Sequence, residues 1–203
     1  MKKLKVIDNF YKKPEEIRNL ALKTDYINVK KLRYPGIQSR KSFTNLDLQK
    51  KFEDVLDTKL EIDPKKYTFG KFRIMINEPF TFKAHLDGLT NLTGLVYLNP
   101  EDSCSGGTAF YRHRKSGLEG PLSQNEVEAR GFSSNEEMFK ELIGDDKYDP
   151  ESWEMTDFVP MKFNRLLVFK GYHYFHCHTS SFGTDKESGR MTQLFFFNEV
   201  LNS

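Results

Sequence analysis

Length, composition and charge narrow the class of protein. The 203 residues correspond to about one domain. Aromatic residues make up 14% of the chain, which is not the composition of a disordered protein. Thirty-one Lys and Arg residues balance 29 Asp and Glu residues, so the formal charge of +2 argues against a protein dedicated to binding nucleic acid.

Targeting signals and cysteines are the next features. No apolar run approaches the ~20 residues that a membrane-spanning helix needs, and no signal peptide is recognisable. We therefore expect a soluble, cytoplasmic protein without a membrane partner, either a monomer or a homodimer. Cys104 and Cys177 are too few for a disulfide framework or a four-cysteine zinc site. Any metal must be held by other side chains.

The N-terminal third predicts one strand and two helices. Residues 4–7 are apolar enough for a short strand. Pro14 is suited to the first position of a helix, and the second helix is predicted at residues 46–56 from its apolar stripe. Between the two helices, Tyr-Pro-Gly at residues 34–36 is typical of a turn.

From residue 67 onward the apolar residues alternate, which indicates strands. The predicted strands span residues 67–77, 82–87, 92–98, 108–112, 155–159, 165–169, 174–177 and 191–198. A polar insertion at residues 117–149, with a helix at 135–142, is interpreted either as an active-site lid or as a solvated excursion. We predict a single domain over residues 1–203. Its fold is mainly β, a double-stranded β-helix or jelly roll with the N-terminal helices packed on one sheet.

Histidines carry the first chemical signal. His85 and Asp87 are two residues apart, so a strand would place both side chains on one face. A third histidine from a distant strand would complete a 2-His-1-carboxylate triad, which binds Fe(II) and leaves coordination positions open. His173, His176 and His178 compete for that role, and alternation does not separate the last two. A surface strand end is the alternative interpretation of His85 and Asp87.

Several short motifs follow one another around these histidines. In chain order they are His-Leu-Asp at residues 85–87, Thr-Gly-Leu-Val-Tyr-Leu-Asn at 93–99, Gly-Gly-Thr-Ala-Phe at 106–110, the apolar run 165–169, His176 and Gly-Arg at 189–190. Over about residues 72–198 this series resembles the iron(II)/2-oxoglutarate-dependent dioxygenases, specifically their prolyl-hydroxylase-like branch. Residues 34–36 and 106–114 also resemble a small microbial subfamily of these proteins.

The resemblance implies a metal centre and its co-substrates. The ligands of iron(II) would be His85, Asp87 and His176, with His176 favoured by its spacing from the strand before it. The co-substrates would be 2-oxoglutarate and O₂, with ascorbate as the reductant in vitro. The reaction implied is hydroxylation of an unactivated C–H bond, with release of succinate and CO₂.

The resemblance also implies a binding site for 2-oxoglutarate. Arg190 would bind its distal carboxylate through a bidentate guanidinium contact, and the Tyr97 hydroxyl would donate to the same carboxylate. Thr192 lies two residues after Arg190, on the same face of the predicted strand, and would assist.

The substrate is less determined. Nucleic-acid demethylases of this superfamily typically carry a second Arg six residues after the first, where this chain has Phe196. The expected substrate is therefore a residue of a peptide or protein, or a small amino-acid-like molecule. The alternatives are a non-enzymatic jelly-roll binding protein and a zinc hydrolase with the same ligands.

Four other residues or groups of residues receive interpretations. Cys177 and Trp153 are interpreted as packing residues, and residues 195–197, all Phe, as core. His113, between two arginines, belongs either to a solvated basic edge or to the surroundings of the substrate.

Overall fold

Two helices precede most of the β-structure, and both lie where the sequence predicts them. The structure, a computed structural model, describes residues 3–29, 36–63, 65–77, 79–88 and 90–200. Helix α1 (Pro14–Lys23) has Pro14 at its first position. Helix α2 (Leu46–Leu56) begins after Asn45, whose side chain accepts a hydrogen bond from the Leu48 amide at 2.8 Å. Tyr34 and Pro35 of the predicted turn lie outside the described residues.

Strands make up most of the remaining regular structure. In chain order they are β1 (Leu4–Ile7), β2 (Tyr26–Asn28), β3 (Ile37–Ser39), β4 (Leu60–Glu61), β5 (Phe69–Met75), β6 (Leu92–Tyr97), β7 (Gly107–His113), β8 (Trp153–Pro160), β9 (Leu166–Phe169), β10 (His176–His178) and β11 (Arg190–Glu199). Among the described residues they form two antiparallel sheets. The large sheet has the order β1-β9-β6-β11-β5-β3-β2, with β4 paired to the end of β11, and the small sheet has the order β10-β7-β8.

The inner faces of the two sheets pack against each other. Leu95 and Phe169 of the large sheet belong to the same buried cluster as Phe110 and Val159 of the small sheet. The rings of Phe110 and Phe169 meet edge to face, with centroids 5.2 Å apart. A mainly β protein with two facing antiparallel sheets is consistent with the predicted jelly roll.

The outer faces of the sheets are covered differently. On the large sheet, the Phe52 ring of α2 lies 4.7 Å from Phe195, and Ala21 of α1 belongs to the same buried cluster. On the small sheet, helices α3 (Gln124–Ala129) and α4 (Asn135–Leu142) contribute Val127 and Met138 to a second cluster. Most of the insertion at residues 117–149 is therefore packed on the outside of the small sheet.

Some predicted elements are wrong. Residues 82–87 are not a strand; they form a single bridge, between His85 and His176. Their other backbone hydrogen bonds go to loops, from Ala84 to Lys147 and from Asp87 to Gly171, so no continuous ladder forms. The predicted strand at 174–177 is displaced to β10. Strands β2, β3 and β4 and helix α3 were not predicted.

Of the aromatic residues predicted to be packing or core, all but Phe196 are buried. Phe195, Phe197 and Trp153 are at most 3% exposed, whereas Phe196 is half-buried and lines the cavity described below. His113 is fully buried, so its interpretation as part of a solvated edge is wrong.

Among the described residues, no helix has the length and apolar character needed to cross a membrane.

Candidate metal centre and its cavity

Three potential metal ligands converge between the two sheets. One donor atom from each of His85, Asp87 and His176 lies within 4.8 Å of the others. The two histidines are joined through their backbones, with N···O distances of 3.1 and 2.9 Å in the two directions. The Asp87 amide donates to the Gly171 carbonyl, which follows β9, at 2.9 Å. Backbone pairing between distant segments therefore assembles the donor set.

The Nδ1 atom of each histidine already has a hydrogen-bond partner. His85 Nδ1 lies 3.0 Å from the Lys83 carbonyl, and His176 Nδ1 lies 2.9 Å from the Tyr174 carbonyl. Because a carbonyl only accepts, each Nδ1 is a donor, which leaves Nε2 as the site for a metal. This is the tautomer that metal-binding histidines commonly use.

The carboxylate is held by a hydroxyl and an imidazole. Thr93 Oγ1 donates to Asp87 Oδ2 at 2.5 Å, and His176 Nε2 lies 3.4 Å from the same oxygen. Burial acts to raise the pKa of Asp87, but the nearby imidazoles and the Thr93 hydrogen bond hold it below its usual range. Asp87 is thus an anion, as a metal ligand must be.

The surroundings shift the pKa values of the two imidazoles in opposite directions. Burial, reinforced by the neighbouring His176, lowers the pKa of His85 to about 4. Burial acts to lower the pKa of His176 as well, but the adjacent Asp87 carboxylate raises it above the usual value. A divalent cation bound here would compete with protons for His176 and Asp87.

All three side chains line one cavity of about 370 Å³. Its lining also includes Arg190 and Thr192 from β11 and Thr108 from β7. At its edge lies Tyr148, which is 49% exposed and comes from the end of the insertion. The structure therefore brings one residue of the 117–149 segment to the cavity.

Arg190 is a buried cation that faces this cavity. It is 6% exposed, its Nε has no hydrogen-bond partner, and among the described residues no carboxylate is paired with it. Its guanidinium carbon lies 5.7 Å from the centre of the Tyr97 ring. Burial lowers the pKa of Arg190, while the Tyr97 hydroxyl and the two cysteines act in the opposite direction.

Tyr97 and Thr192 are placed differently from each other. Thr192 lines the cavity and pairs across the sheet with Tyr97. Tyr97 is fully buried and is not among the lining residues, and its hydroxyl lies 2.8 Å from Thr108 Oγ1. Sequence reasoning missed Thr108, although the Gly-Gly-Thr motif at 106–108 marked its position, and it also missed the role of Thr93.

The other histidines lie apart from the donor set. His178 lines the cavity, but its Nε2 lies 3.3 Å from Ser181 Oγ, and burial, together with Arg190 and His85, lowers its pKa to about 3. His173 borders a separate cavity beside Gly120. His113 lies on the outer side of the small sheet.

Fold and site together define a class of protein: a two-sheet β protein with a candidate mononuclear metal centre of two histidines and one aspartate. The chain belongs to the Family of unknown function (DUF6445), whose model matches residues 1–197. No curated protein is detectably similar to it in sequence.

Solved structures give distant matches. HygX from Streptomyces hygroscopicus with nickel, 2-oxoglutarate and hygromycin B bound is 15% identical, with a TM-score of 0.48 over 96% of this chain and 82% of that chain. HygX with nickel and 2-oxoglutarate bound is 14% identical, with a TM-score of 0.41 over the same shares. The Fe(II)/α-ketoglutarate-dependent dioxygenase TqaL is 10% identical, with a TM-score of 0.44 over 100% of this chain and 84% of that chain. Similarities this low carry no argument about ligands or substrates.

Proposed function

We propose that this protein is an iron(II)- and 2-oxoglutarate-dependent dioxygenase that hydroxylates an unactivated C–H bond. The observation that carries the proposal is the shared cavity: the donor set and the unpaired guanidinium of Arg190 line the same space. One part suits a divalent metal and the other an anion, which are the two groups that such a reaction needs.

The donor set fits iron(II). Two imidazole nitrogens and one carboxylate suit a divalent transition metal and leave positions free for other molecules. His85, Asp87 and His176 would hold the ion, and the carbonyls of Lys83 and Tyr174 keep both rings oriented toward it. Iron bound there would supply the chemistry by which 2-oxoglutarate and O₂ give succinate, CO₂ and a hydroxylated product.

Arg190 fits the distal carboxylate of 2-oxoglutarate. A buried charge without a partner is costly, and a carboxylate that accepts two hydrogen bonds from the guanidinium would offset the cost. Thr192 and Thr108 line the cavity and offer hydroxyl donors. Tyr97 would support this site indirectly. Its hydroxyl is hydrogen-bonded to Thr108, and the Arg190 guanidinium lies over its ring.

Arg190 weighs against one alternative, and turnover distinguishes the other. A zinc hydrolase with the same ligands has no need of a buried cation beside its metal. A jelly-roll binding protein would use the cavity without turnover. The proposal therefore depends on the consumption of 2-oxoglutarate as well as on its binding.

The cavity limits the size of the substrate. Its volume of about 370 Å³ is near the lower end for small-molecule sites, and it has to contain the co-substrate as well. Leu95, Leu194 and Phe196 make part of the lining apolar. These features favour a small amino-acid-like molecule or one side chain of a peptide or protein.

The test uses the full chain with Fe(II), 2-oxoglutarate, O₂ and ascorbate. Calorimetry with Mn(II), an inert surrogate, should give one site per chain, and 2-oxoglutarate should bind to the metal-loaded protein. Small-molecule and peptide fractions of a cell extract are then screened by mass spectrometry for products that gain one oxygen atom while succinate forms. Absence of metal binding, or 2-oxoglutarate binding without succinate in the presence of these fractions, would contradict the proposal.

A further inference from the structure

Gly171 lies against the carboxylate of the candidate metal centre. It follows β9 in a tight turn, in which its amide donates to the Phe169 carbonyl at 3.1 Å. A Cβ atom added to Gly171 would overlap both Asp87 Oδ2 and Thr93 Oγ1, and it would lie 2.9 Å from Asp87 Cγ. The space that a side chain would occupy is therefore filled by the hydrogen-bonded Thr93–Asp87 pair.

The backbone conformation does not explain this glycine. Seven glycines of the described chain have positive φ angles, where L side chains are rarely found, and Gly171 is not one of them. An alanine would fit the local backbone of residue 171. What a side chain at residue 171 would meet is the Asp87 carboxylate, which would have to move.

Gly171 and Thr93 together hold both the backbone and the side chain of Asp87. The Gly171 carbonyl accepts from the Asp87 amide at 2.9 Å and fixes the main chain. The Thr93 hydroxyl donates to Oδ2 at 2.5 Å and fixes the side chain. Thr93 is itself paired with Phe169 in β9, two residues before Gly171, so the same part of the large sheet supplies both contacts.

We propose that Gly171 and Thr93 are positioning residues that orient the Asp87 carboxylate for the metal. This inference rests on the proposed metal site. Outer contacts of this kind commonly change metal affinity by about 10- to 100-fold when they are removed. An alanine at residue 171 would push against the ends of two side chains rather than against backbone, so the fold accommodates it while the carboxylate turns away.

The test compares four variants of the full chain. Gly171→Ala and Thr93→Val should each bind Mn(II) about 10- to 100-fold more weakly by calorimetry. Thr93→Ser keeps the hydroxyl and should restore affinity close to that of the wild type. Gly88→Ala is the matched control, because Gly88 adjoins Asp87 but a Cβ there meets no atom within 4 Å. It should bind as the wild type does.

A second readout separates positioning from general damage. The visible absorption of bound Co(II) should change in Gly171→Ala and Thr93→Val, because the carboxylate is displaced from its ligand position. The metal-free unfolding midpoints of Thr93→Val and Thr93→Ser should be similar. If Gly171→Ala fails to fold, the Thr93→Val and Thr93→Ser pair decides.

The outcomes distinguish this inference from the proposed function. Wild-type affinity and spectra in Gly171→Ala and Thr93→Val, with a wild-type protein that binds metal, would overturn the positioning role and leave the proposed function intact. Equal losses in Thr93→Val and Thr93→Ser would also overturn the role of the hydroxyl. A wild-type protein that binds neither metal would overturn both.

Discussion

Two buried imidazole–carboxylate pairs lie on opposite faces of the small sheet. On the cavity face, His176 Nε2 is 3.4 Å from Asp87 Oδ2. On the outer face, His113 Nε2 is 3.2 Å from Asp146 Oδ2, and the imidazole ring is tilted against the Trp153 ring, with centroids 5.0 Å apart. The two pairs have similar distances and similarly buried rings, and yet their surroundings allow different functions.

The difference lies in whether each pair is closed by protein hydrogen bonds or opens on a cavity. His113 uses both ring nitrogens within the protein, Nδ1 with Ser116 Oγ at 2.8 Å and Nε2 with Asp146. Asp146 Oδ2 also accepts from Lys115, so this pair ties the insertion to β7. The His176–Asp87 pair, by contrast, opens on a cavity that contains a third donor, His85. Of these two buried histidines, only the one whose pair adjoins a cavity and a third donor is a candidate metal ligand.

The largest expected effect comes from breaking the cavity pair. His176→Ala should abolish Mn(II) binding, because two of the three donors remain and Asp87 loses its neighbour. Calorimetry measures the loss, and succinate formation should disappear with it. Binding at wild-type affinity would move the third ligand to His178, which lines the same cavity.

The next effect concerns the proposed 2-oxoglutarate site in the cavity of the candidate metal centre. Arg190→Lys keeps the charge but loses the bidentate geometry, so 2-oxoglutarate affinity should fall by about 1–3 kcal/mol. The measurement is titration of the Mn(II)-loaded protein with 2-oxoglutarate. An unchanged affinity would place the carboxylate site elsewhere in the cavity.

Breaking the outer pair should affect stability instead of binding. His113→Leu leaves Ser116 Oγ and one Asp146 oxygen without their imidazole partner, and should lower the free energy of unfolding by about 1–3 kcal/mol. Denaturant unfolding measures this change. Mn(II) affinity should be unaltered, and a parallel loss of affinity would contradict the division between the two faces.

A smaller effect tests how Tyr97 acts. Tyr97→Phe and Thr108→Val should each weaken 2-oxoglutarate binding by about 1 kcal/mol, because each breaks the same hydroxyl pair. The double variant should be little worse than either single one. Additive losses would mean that Tyr97 contacts the co-substrate directly, as the family resemblance implies.

The smallest effect concerns an exposed carboxylate that serves as a reference for both buried pairs. The hydrogen bond from Arg165 lowers the pKa of Asp8 from 3.8 to about 2. The ion pair stabilises the protein above the unfolded-state pKa of Asp8, and this stabilisation is lost as the pH falls through about 2. In Asp8→Asn, the free energy of unfolding should therefore decrease less between about pH 4 and 2 than it does in the wild type. An unchanged pH dependence of the free energy of unfolding would show that the solvent screens this ion pair completely.

Local signals in the sequence were sufficient for several elements. Helices α1, α2 and α4 begin at the predicted residues. Pro14 stands at the first position of α1, and the side chains of Asn45 and Ser134 cap α2 and α4. The missed helix α3 carried a comparable signal, the capping box of Ser123 and Glu126. Each of these signals acts within a few residues of the chain, which is why the sequence reveals it.

The candidate site was only partly predictable. The sequence by itself determined that His85 and Asp87 are two residues apart in an extended segment and that a histidine near residue 176 follows an apolar strand. Alternation did not distinguish His176 from His178, because both share one strand parity. The tertiary structure places His176, not His178, in the donor set, because the backbone of His176 is the one that pairs with His85.

Other features of the site came from tertiary structure alone. The predicted strand at 82–87 is a single bridge, because its neighbours along the chain bond to loops instead of to a strand. The contact of Thr93 with Asp87 and the space at Gly171 depend on the turn that follows β9, and the burial of His113 depends on the packing of the insertion. Residue types and short spacings establish which chemistry is available, whereas contacts between segments far apart in the chain establish which of those residues meet.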